Sequence, residues 1–291
     1  MQPDLTEPIL ELVRLAATDL PEDVEETLQK SRDQEEEGSA ARGALDTILE
    51  NVTMARKNST PICQDTGTPI FYVSCPEGWS TRKLSKQIKV AVIQATEKAY
   101  LRPNSVNTLT GKNTGDNSGD EHYPSIYYEE VDGDEVKIDL LLKGGGCENV
   151  STQYKLPDSD LGAGRDLDGV RKVALDAVAK AQGKGCAPGV LGIAIGGDRG
   201  SSFADSKEAL RRQLDDTNSD IALAELEEKI TGQANQLDIG PMGFHGKTTL
   251  LGTKVKNLHR LPACYFVSIA YMCWAYRRRR MVYTDGSAHY E

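Results

Sequence analysis

Apolar residues recur at three- and four-residue steps from the start of the chain. Ile9, Leu12, Val13 and Ala16 line one face behind a Thr6 cap, and Val24 and Leu28 resume the pattern after Pro21. An acidic stretch, 33–37, and Gly38 interrupt it before Leu45, Ile48, Leu49 and Val52 restore it over 41–57. Residues 6–57 therefore read as a helical entry segment. At Thr60 the texture changes: TPICQDTGTPIFYV is turn-rich and runs into a β-favouring tetrapeptide at 70–73. A further helix is predicted over 81–101, with Leu84, Ile88, Val92, Ala95 and Ala99 on one face. Residues 102–123, dense in Asn, Gly and Thr, predict a long loop of the kind that usually has a function. Alternation over 125–130 and 136–142 predicts two strands paired as a hairpin through VDGDE, ending in a glycine run. Beyond it come an amphipathic helix over 168–182, a buried strand over 190–195, helices over 201–214 and 221–236, and strands over 248–255 and 265–272. The fold class is mixed α/β (α+β), a helical N-terminal segment followed by interleaved helices and mixed β-sheets. The expected organisation is one domain over 1–291 in two interleaved lobes, an entry at 1–58 and a core at 59–291.

Composition narrows the function. With 291 residues, 38% hydrophobic and 27% charged, the chain can bury a core without disulfide staples. A net charge of −10 argues against nucleic acid as a partner, since gripping phosphates needs a surplus of Lys and Arg. The longest uncharged stretch, 261–276, has 16 residues and a proline, short of the roughly 20 that span a bilayer, so no membrane is expected. Asp4, Glu7 and Glu11 precede any positive charge, which is not how a secretory signal begins, and the expected location is cytoplasmic.

Six cysteines in a reducing compartment ask for metal binding, catalysis or burial. None has CxxC spacing, so any cluster draws its ligands from distant segments. Cys63 lies in CQDTG, a tight-turn sequence that presents Gln64 and Asp65. Cys186 lies in GKGCAPG, between a helix and a buried strand, where small residues let backbone approach a bulky inorganic group. Cys273 ends an apolar strand just before Arg277 to Arg280, and fixed positive charge favours a thiolate. Any one of them alone reads as a buried small apolar residue; three together in loop-like settings weaken that reading. Three thiolates on a four-iron cluster leave one iron open as a Lewis acid. Cys147, after the glycines of KGGG, is open between pocket wall and fourth thiol, while Cys75 and Cys264 read as packing residues.

The remaining signals are weaker. The glycines Gly144, Gly145 and Gly146 could offer backbone N–H groups to an anion. GGDRGSS has neither Walker nor dinucleotide spacing. Asn113, Thr114, Thr108 and Thr110 suit a small carboxylate or simply a solvated loop. His259 is a candidate anion ligand; His122, His245 and His289 have no partner that the sequence identifies. The four arginines read as a substrate clamp or, more usually, as an exposed face or subunit contact.

The ordered set CQDTG, TGKNTG, KGGGCENVS, GCAPGVLGIAIGG, GPMGF and CWAYRR resembles the α subunit, or N-terminal half, of the class I iron–sulfur hydro-lyases, the oxygen-sensitive fumarate hydratases and L-tartrate dehydratases. The resemblance implies a [4Fe-4S] cluster on Cys63, Cys186 and Cys273, with Gln64 and Asp65 as catalytic and substrate-binding residues. Asn113, Thr114, Gly145 and Gly146 are the further substrate contacts. It implies reversible hydration of fumarate to (S)-malate, a tricarboxylic acid cycle step, with L-tartrate dehydration as the alternative and a non-catalytic iron–sulfur redox or sensor protein as the reading from another class. In the family the acid/base group comes from a C-terminal β half; the chain ends at Glu291, so a separate β subunit in an α2β2 assembly is the expected partner, with a small dicarboxylate as substrate. Two departures stand out. The helix IKVAVIQATEKAYLR lacks the Arg-Gly pair of single-chain members, leaving Arg102 as a substitute, and Leu261 stands where many members have a histidine, two residues from His259.

Overall fold

The computed structural model describes residues 2–119 and 122–291. The part of the predicted loop at 120–121 lies outside the described residues. In chain order the elements are α1 (Thr6–Thr18), α2 (Glu22–Gln34), α3 (Ala40–Asn58), β1 (Thr68–Pro76), α4 (Thr81–Glu97), β2 (Ser125–Val131), β3 (Val136–Lys143), α5 (Gly145–Val150), β4 (Thr152–Lys155), α6 (Leu167–Ala181), β5 (Gly189–Ile195), α7 (Arg199–Ala209), α8 (Ile221–Asn235), β6 (Leu250–Asn257), β7 (Phe266–Met272), β8 (Arg278–Thr284) and β9 (Ser287–Tyr290). They form two compact units. The first comprises Met1–Pro21, Glu50–Gly145 and Arg277–Glu291; the second comprises Glu22–Leu49 and Gly146–Tyr276. The N-terminal helices are thus shared between the units, α1 in the first and α2 in the second. Among the described residues no helix is long and apolar enough to cross a membrane.

The first unit is a five-stranded sheet in the order β2-β1-β3-β8-β9, with α1 and α4 supplying apolar faces to its core. Ser80 caps α4 by accepting from the Lys83 N–H, and Leu84, Ile88, Val92 and Ala95 are buried. The helix stops at Glu97, short of the predicted 101. Ala99 takes a left-handed φ of 61°, and the N–H groups of Tyr100 and Leu101 turn back to the Ala95 carbonyl. The predicted hairpin does not form: β1 lies between β2 and β3, parallel to the one and antiparallel to the other. The reason is burial. β1 is buried from Pro69 to Val73 and demands partners on both sides, whereas β2, carrying Glu129, Glu130 and a half-exposed Tyr127, suits an edge. With strands about 4.8 Å apart, residues 132–135 need to step over only one strand, roughly 10 Å. The strands β8 and β9 are absent from the sequence reading, because four arginines disguise the start of β8.

The second unit is a four-stranded mixed sheet in the order β4-β7-β5-β6. The period of two sorts its faces. Leu191, Ile193 and Ile195 of β5 and Val267, Ile269 and Tyr271 of β7 join the apolar residues of α6 and α8 in one core. Gly192 and Ser268 face the other way, toward α7, where the Ser202 and Ser268 hydroxyls hydrogen-bond at 2.7 Å. A Cβ on Gly192 would collide with the Ser206 carbonyl oxygen, so glycine there sets the helix-to-sheet approach. α7 opens with a capping box, Asp198 with Ser201, and ends at Ala209, five residues before the predicted end.

Candidate functional site

In the first unit the CQDTG turn is tied down from three directions. The Asp65 carboxylate accepts the Gly67 N–H at 3.1 Å, closing an Asx turn, and the Gly145 N–H at 2.8 Å. Its carbonyl oxygen accepts Nη1 of Arg277 at 2.7 Å. Thr66 is fully buried, and its hydroxyl accepts the Arg102 N–H at 3.0 Å and Nδ2 of Asn104 at 2.9 Å. Gly67 has φ +80°, and a Cβ there would sit 2.9 Å from the backbone of Leu142 and Lys143 at the end of β3. The turn therefore lies flat against the strand that leads into the glycine run. Cys63 is half-buried and Gln64 exposed. Tyr123 lies near Asp65; its phenol is pushed up chiefly by burial and further by that carboxylate, against a hydrogen bond with Thr68 that lowers it.

The glycine run offers an N–H to an anion as the sequence suggested, and in the structure the anion it receives is the protein's own Asp65. Arg277 is not on an exposed face: it is 1% exposed. Arg279 donates to Asp19 at 3.0 Å and to the Leu20 carbonyl at 2.9 Å, and Arg280 pairs with Asp139 at 2.6 Å. The exposed-face reading of the four arginines is corrected on this point. Arg277, Arg279 and Arg280 thus reach acidic or carbonyl partners within the unit.

In the second unit, Cys186 follows a 3-10 turn, Gln182–Gly185, and takes a left-handed conformation, φ 55° and ψ 62°. Its carbonyl oxygen accepts the Trp274 N–H at 3.2 Å, which brings the loop of Cys186 beside that of Cys273. GPMGF, the remaining motif, supports the same loop: the Met242 N–H donates to the Ala187 carbonyl at 2.7 Å. Cys147 is buried, its thiol 3.8 Å from the Gly185 carbonyl oxygen. Tyr271 is buried among these groups; burial first, then the nearby Cys147, Cys273 and Cys186, push its phenol far up, so it is a neutral donor.

Asn113 and Thr114 are exposed and locally engaged. Asn113 donates to the Pro103 carbonyl at 2.7 Å and accepts the Gly115 N–H at 2.8 Å, while the Thr114 N–H donates to the Ser105 carbonyl at 2.8 Å. Within the same loop it is Asn104 and Arg102 that reach the CQDTG turn, Arg102 also donating to the Gln64 carbonyl at 3.2 Å. Gly146 opens the second unit, close to the Lys184 carbonyl. His259 is exposed, its carbonyl accepting the Gly197 N–H. Sequence reasoning missed Asn104, Tyr123 and Tyr271; a tyrosine in an apolar strand carries no signal that separates it from packing.

Among the described residues no group of three or more His, Cys, Asp or Glu side chains is gathered tightly enough for a single metal ion. A cluster asks for something looser, since each thiolate binds its own iron. The donor chemistry of the second unit fits that demand: soft thiols at Cys186 and Cys273, a loop thinned by Gly183 and Gly185, and a buried hydroxyl.

The chain belongs to the fumarate hydratase (Fumerase) family, whose model matches residues 6–282. It is 49% identical over 277 residues to a Geobacillus stearothermophilus protein described as a class I fumarate hydratase, covering 94% of this chain and 54% of that one. A Methanocaldococcus jannaschii protein described as an L(+)-tartrate dehydratase α subunit is 34% identical, covering 94% of this chain and 95% of that one. The L(+)-tartrate dehydratase α subunit of Escherichia coli K12 is 29% identical, covering 94% and 89%. The chain thus spans about half the length of the fumarate hydratase relative and nearly all of the two α subunits.

Proposed function

We propose that this chain is the cluster-bearing α subunit of a hydro-lyase that interconverts fumarate and (S)-malate. The observation that carries the reading is the 49% identity with the fumarate hydratase relative along almost the whole of this chain. The ligands would be Cys63, Cys186 and Cys273. A [4Fe-4S] cluster on three thiolates supplies, when bound, an open iron that acts as a Lewis acid on a hydroxyl and carboxylate. The protein's own contribution is positioning. Asp65, gripped by two backbone N–H groups and by Arg277 through its carbonyl, holds the CQDTG turn in one conformation, so that Gln64 and Cys63 are presented without a search over rotamers of the loop. Gly145 contributes through that grip; Gly146, Asn113 and Thr114 remain proposed substrate contacts. The acid/base group that moves the proton on the neighbouring carbon belongs to a β partner, a reading supported by the α-subunit descriptions of relatives that match nearly in full. An α2β2 assembly in the cytoplasm completes the proposal.

L-Tartrate is the second reading, favoured by that same end-to-end match with tartrate dehydratase α subunits. Co-expression with the β partner and anaerobic assay on both substrates decides: a preference for L-tartrate above about a hundredfold, roughly 2.7 kcal/mol of discrimination, overturns the fumarate assignment. Iron counted in Cys→Ser variants tests the ligands. Substitution of Cys63, Cys186 or Cys273 should lose iron, and substitution of Cys75, Cys147 or Cys264 should not. A cluster that no substrate perturbs spectroscopically would indicate a sensor instead.

A further inference from the structure

Tyr271 lies on β7, opposite Leu191 of β5 and two residues before Cys273. Its ring is packed against Gly185 and Gly189, and a Cβ on either glycine would collide with it. Both ends of the loop that carries Cys186 are therefore trimmed to fit this tyrosine. The side chain is 2% exposed, and its hydroxyl has no hydrogen-bond partner among the described residues. A phenylalanine would fill the same space without that penalty, since a buried donor left unsatisfied costs on the order of 1–3 kcal/mol. A buried hydroxyl without a protein acceptor calls for one from outside the protein, an ordered water or a bound group. Thiols stand on the segments it touches: Cys186 directly follows Gly185, and Cys273 is two residues further along from Tyr271 itself. In that loop the Gly185 carbonyl faces the Cys147 thiol at 3.8 Å. A neutral thiol is a poor acceptor, but a thiolate or sulfide sulfur is a charged one.

We propose that Tyr271 is a cluster-contacting residue whose hydroxyl donates a hydrogen bond to a sulfur of the bound iron–sulfur group, either sulfide or the thiolate of Cys186 or Cys273. This rests on the reading that the chain holds such a cluster. Hydrogen bonds to sulfur raise a cluster's reduction potential and strengthen its retention. The hydroxyl would thus make the cluster slower to give up iron.

The test is Tyr271→Phe, which removes one oxygen and keeps the ring against the two glycines, measured both without and with the cluster. In cluster-free protein the variant should melt at the same temperature as wild type or higher, because a buried unsatisfied donor has gone. In anaerobically reconstituted protein it should show a lower midpoint potential and lose iron to a chelator roughly five- to tenfold faster. A merely structural tyrosine would not give opposite signs in the two states. Reconstituted wild type and variant with the same potential and the same chelation rate would overturn the proposal while leaving the cluster assignment intact. A cluster-free variant that melts well below wild type would overturn it too, by showing that the hydroxyl has a protein partner. Wild type that takes up no iron at all would sink the cluster reading and this proposal together.

Discussion

At the scale of single residues, the site rests on backbone groups as much as on side chains. Gly67 shows this most directly. Its φ of +80° suits glycine, and the space a Cβ needs is occupied at 2.9 Å by the backbone of Leu142 and Lys143, which cannot swing aside as a flexible side chain could. Gly67→Ala must therefore push the CQDTG turn away from β3, and with it the grip of Asp65 on the Gly145 N–H. A cost of about 1–3 kcal/mol is expected, comparable to other strained backbone positions. The midpoint of urea unfolding should fall accordingly, and the proposed hydration activity, assayed with the β partner, should drop by more than the loss of folded protein explains. A variant as stable and active as wild type would show that the turn is not pinned here. Gly38, also at positive φ but with open space around it, is the control: alanine there should leave activity unchanged.

At the scale of elements, charge networks fasten segments that the sequence reads as plain helix or strand. Arg212, just past α7, donates to Asp216 at 2.8 Å and to Glu227 of α8 at 2.5 Å; Lys254 of β6, 3% exposed, meets Asp216 at 2.5 Å. Burial pushes the Asp216 carboxyl up, but the hydrogen bonds from Arg212 and Lys254 outweigh it and hold the group below the usual carboxylate range. The sign follows from linkage. A carboxyl whose folded value is depressed contributes stability that is fully present above its unfolded value, about 3.9, and that drains away as pH falls through the lower folded value. Asp216→Asn should therefore lower stability at pH 7 and flatten the acid limb of the stability curve below about pH 4; an unchanged acid limb would exclude Asp216 as a contributor. None of this is legible from periodicity, because Arg212 and Lys254 are 42 positions apart and meet only through the fold. What periodicity does show is each element whose apolar face is continuous, such as α1, α4, α6, β5 and β7. It fails where polarity is internal. β8 begins with arginines that find Asp139, Asp19 and a main-chain carbonyl within the unit, and β2 takes its partner from a strand 55 residues earlier, Ile70 opposite Ser125, rather than from its neighbour in sequence. The candidate site is legible in its cysteines and its CQDTG turn, since those residue types stand out from their surroundings. Asn104, Tyr123 and Tyr271 are not, because only the folded chain shows what they face.

At the scale of the whole molecule, neither unit is a continuous stretch of chain, and the last fifteen residues, Arg277–Glu291, belong to the first unit although they directly follow the second in sequence. They carry none of the six cysteines, and the CQDTG and KGGG motifs lie far upstream of them. Beyond Arg278, where the CWAYRR motif ends, a reading from motifs alone would treat them as dispensable. The structure says otherwise. β8 pairs with β3 from Val136 opposite Tyr283 to Leu141 opposite Arg278, and Met281 is fully buried in the core of that unit. Burial of Met281 alone contributes roughly 1.5–3 kcal/mol, and the ladder, the Arg280 to Asp139 pair and the Arg277 hold on the Asp65 carbonyl go with it, against a total stability of only about 5–15 kcal/mol for a typical domain. Truncation after Tyr276 is therefore expected to unfold the first unit while leaving the second unit's own segments, 22–49 and 146–276, with a complete sheet and core. Limited proteolysis followed by mass spectrometry should find new cleavage concentrated within 50–145 and protection retained across β5, β6 and β7. A truncated chain that resists protease throughout and melts like the full-length protein would mean that β8 and β9 are an appendage. Cleavage spread evenly over both sets of segments would mean that the two units do not fold as separate cooperative bodies.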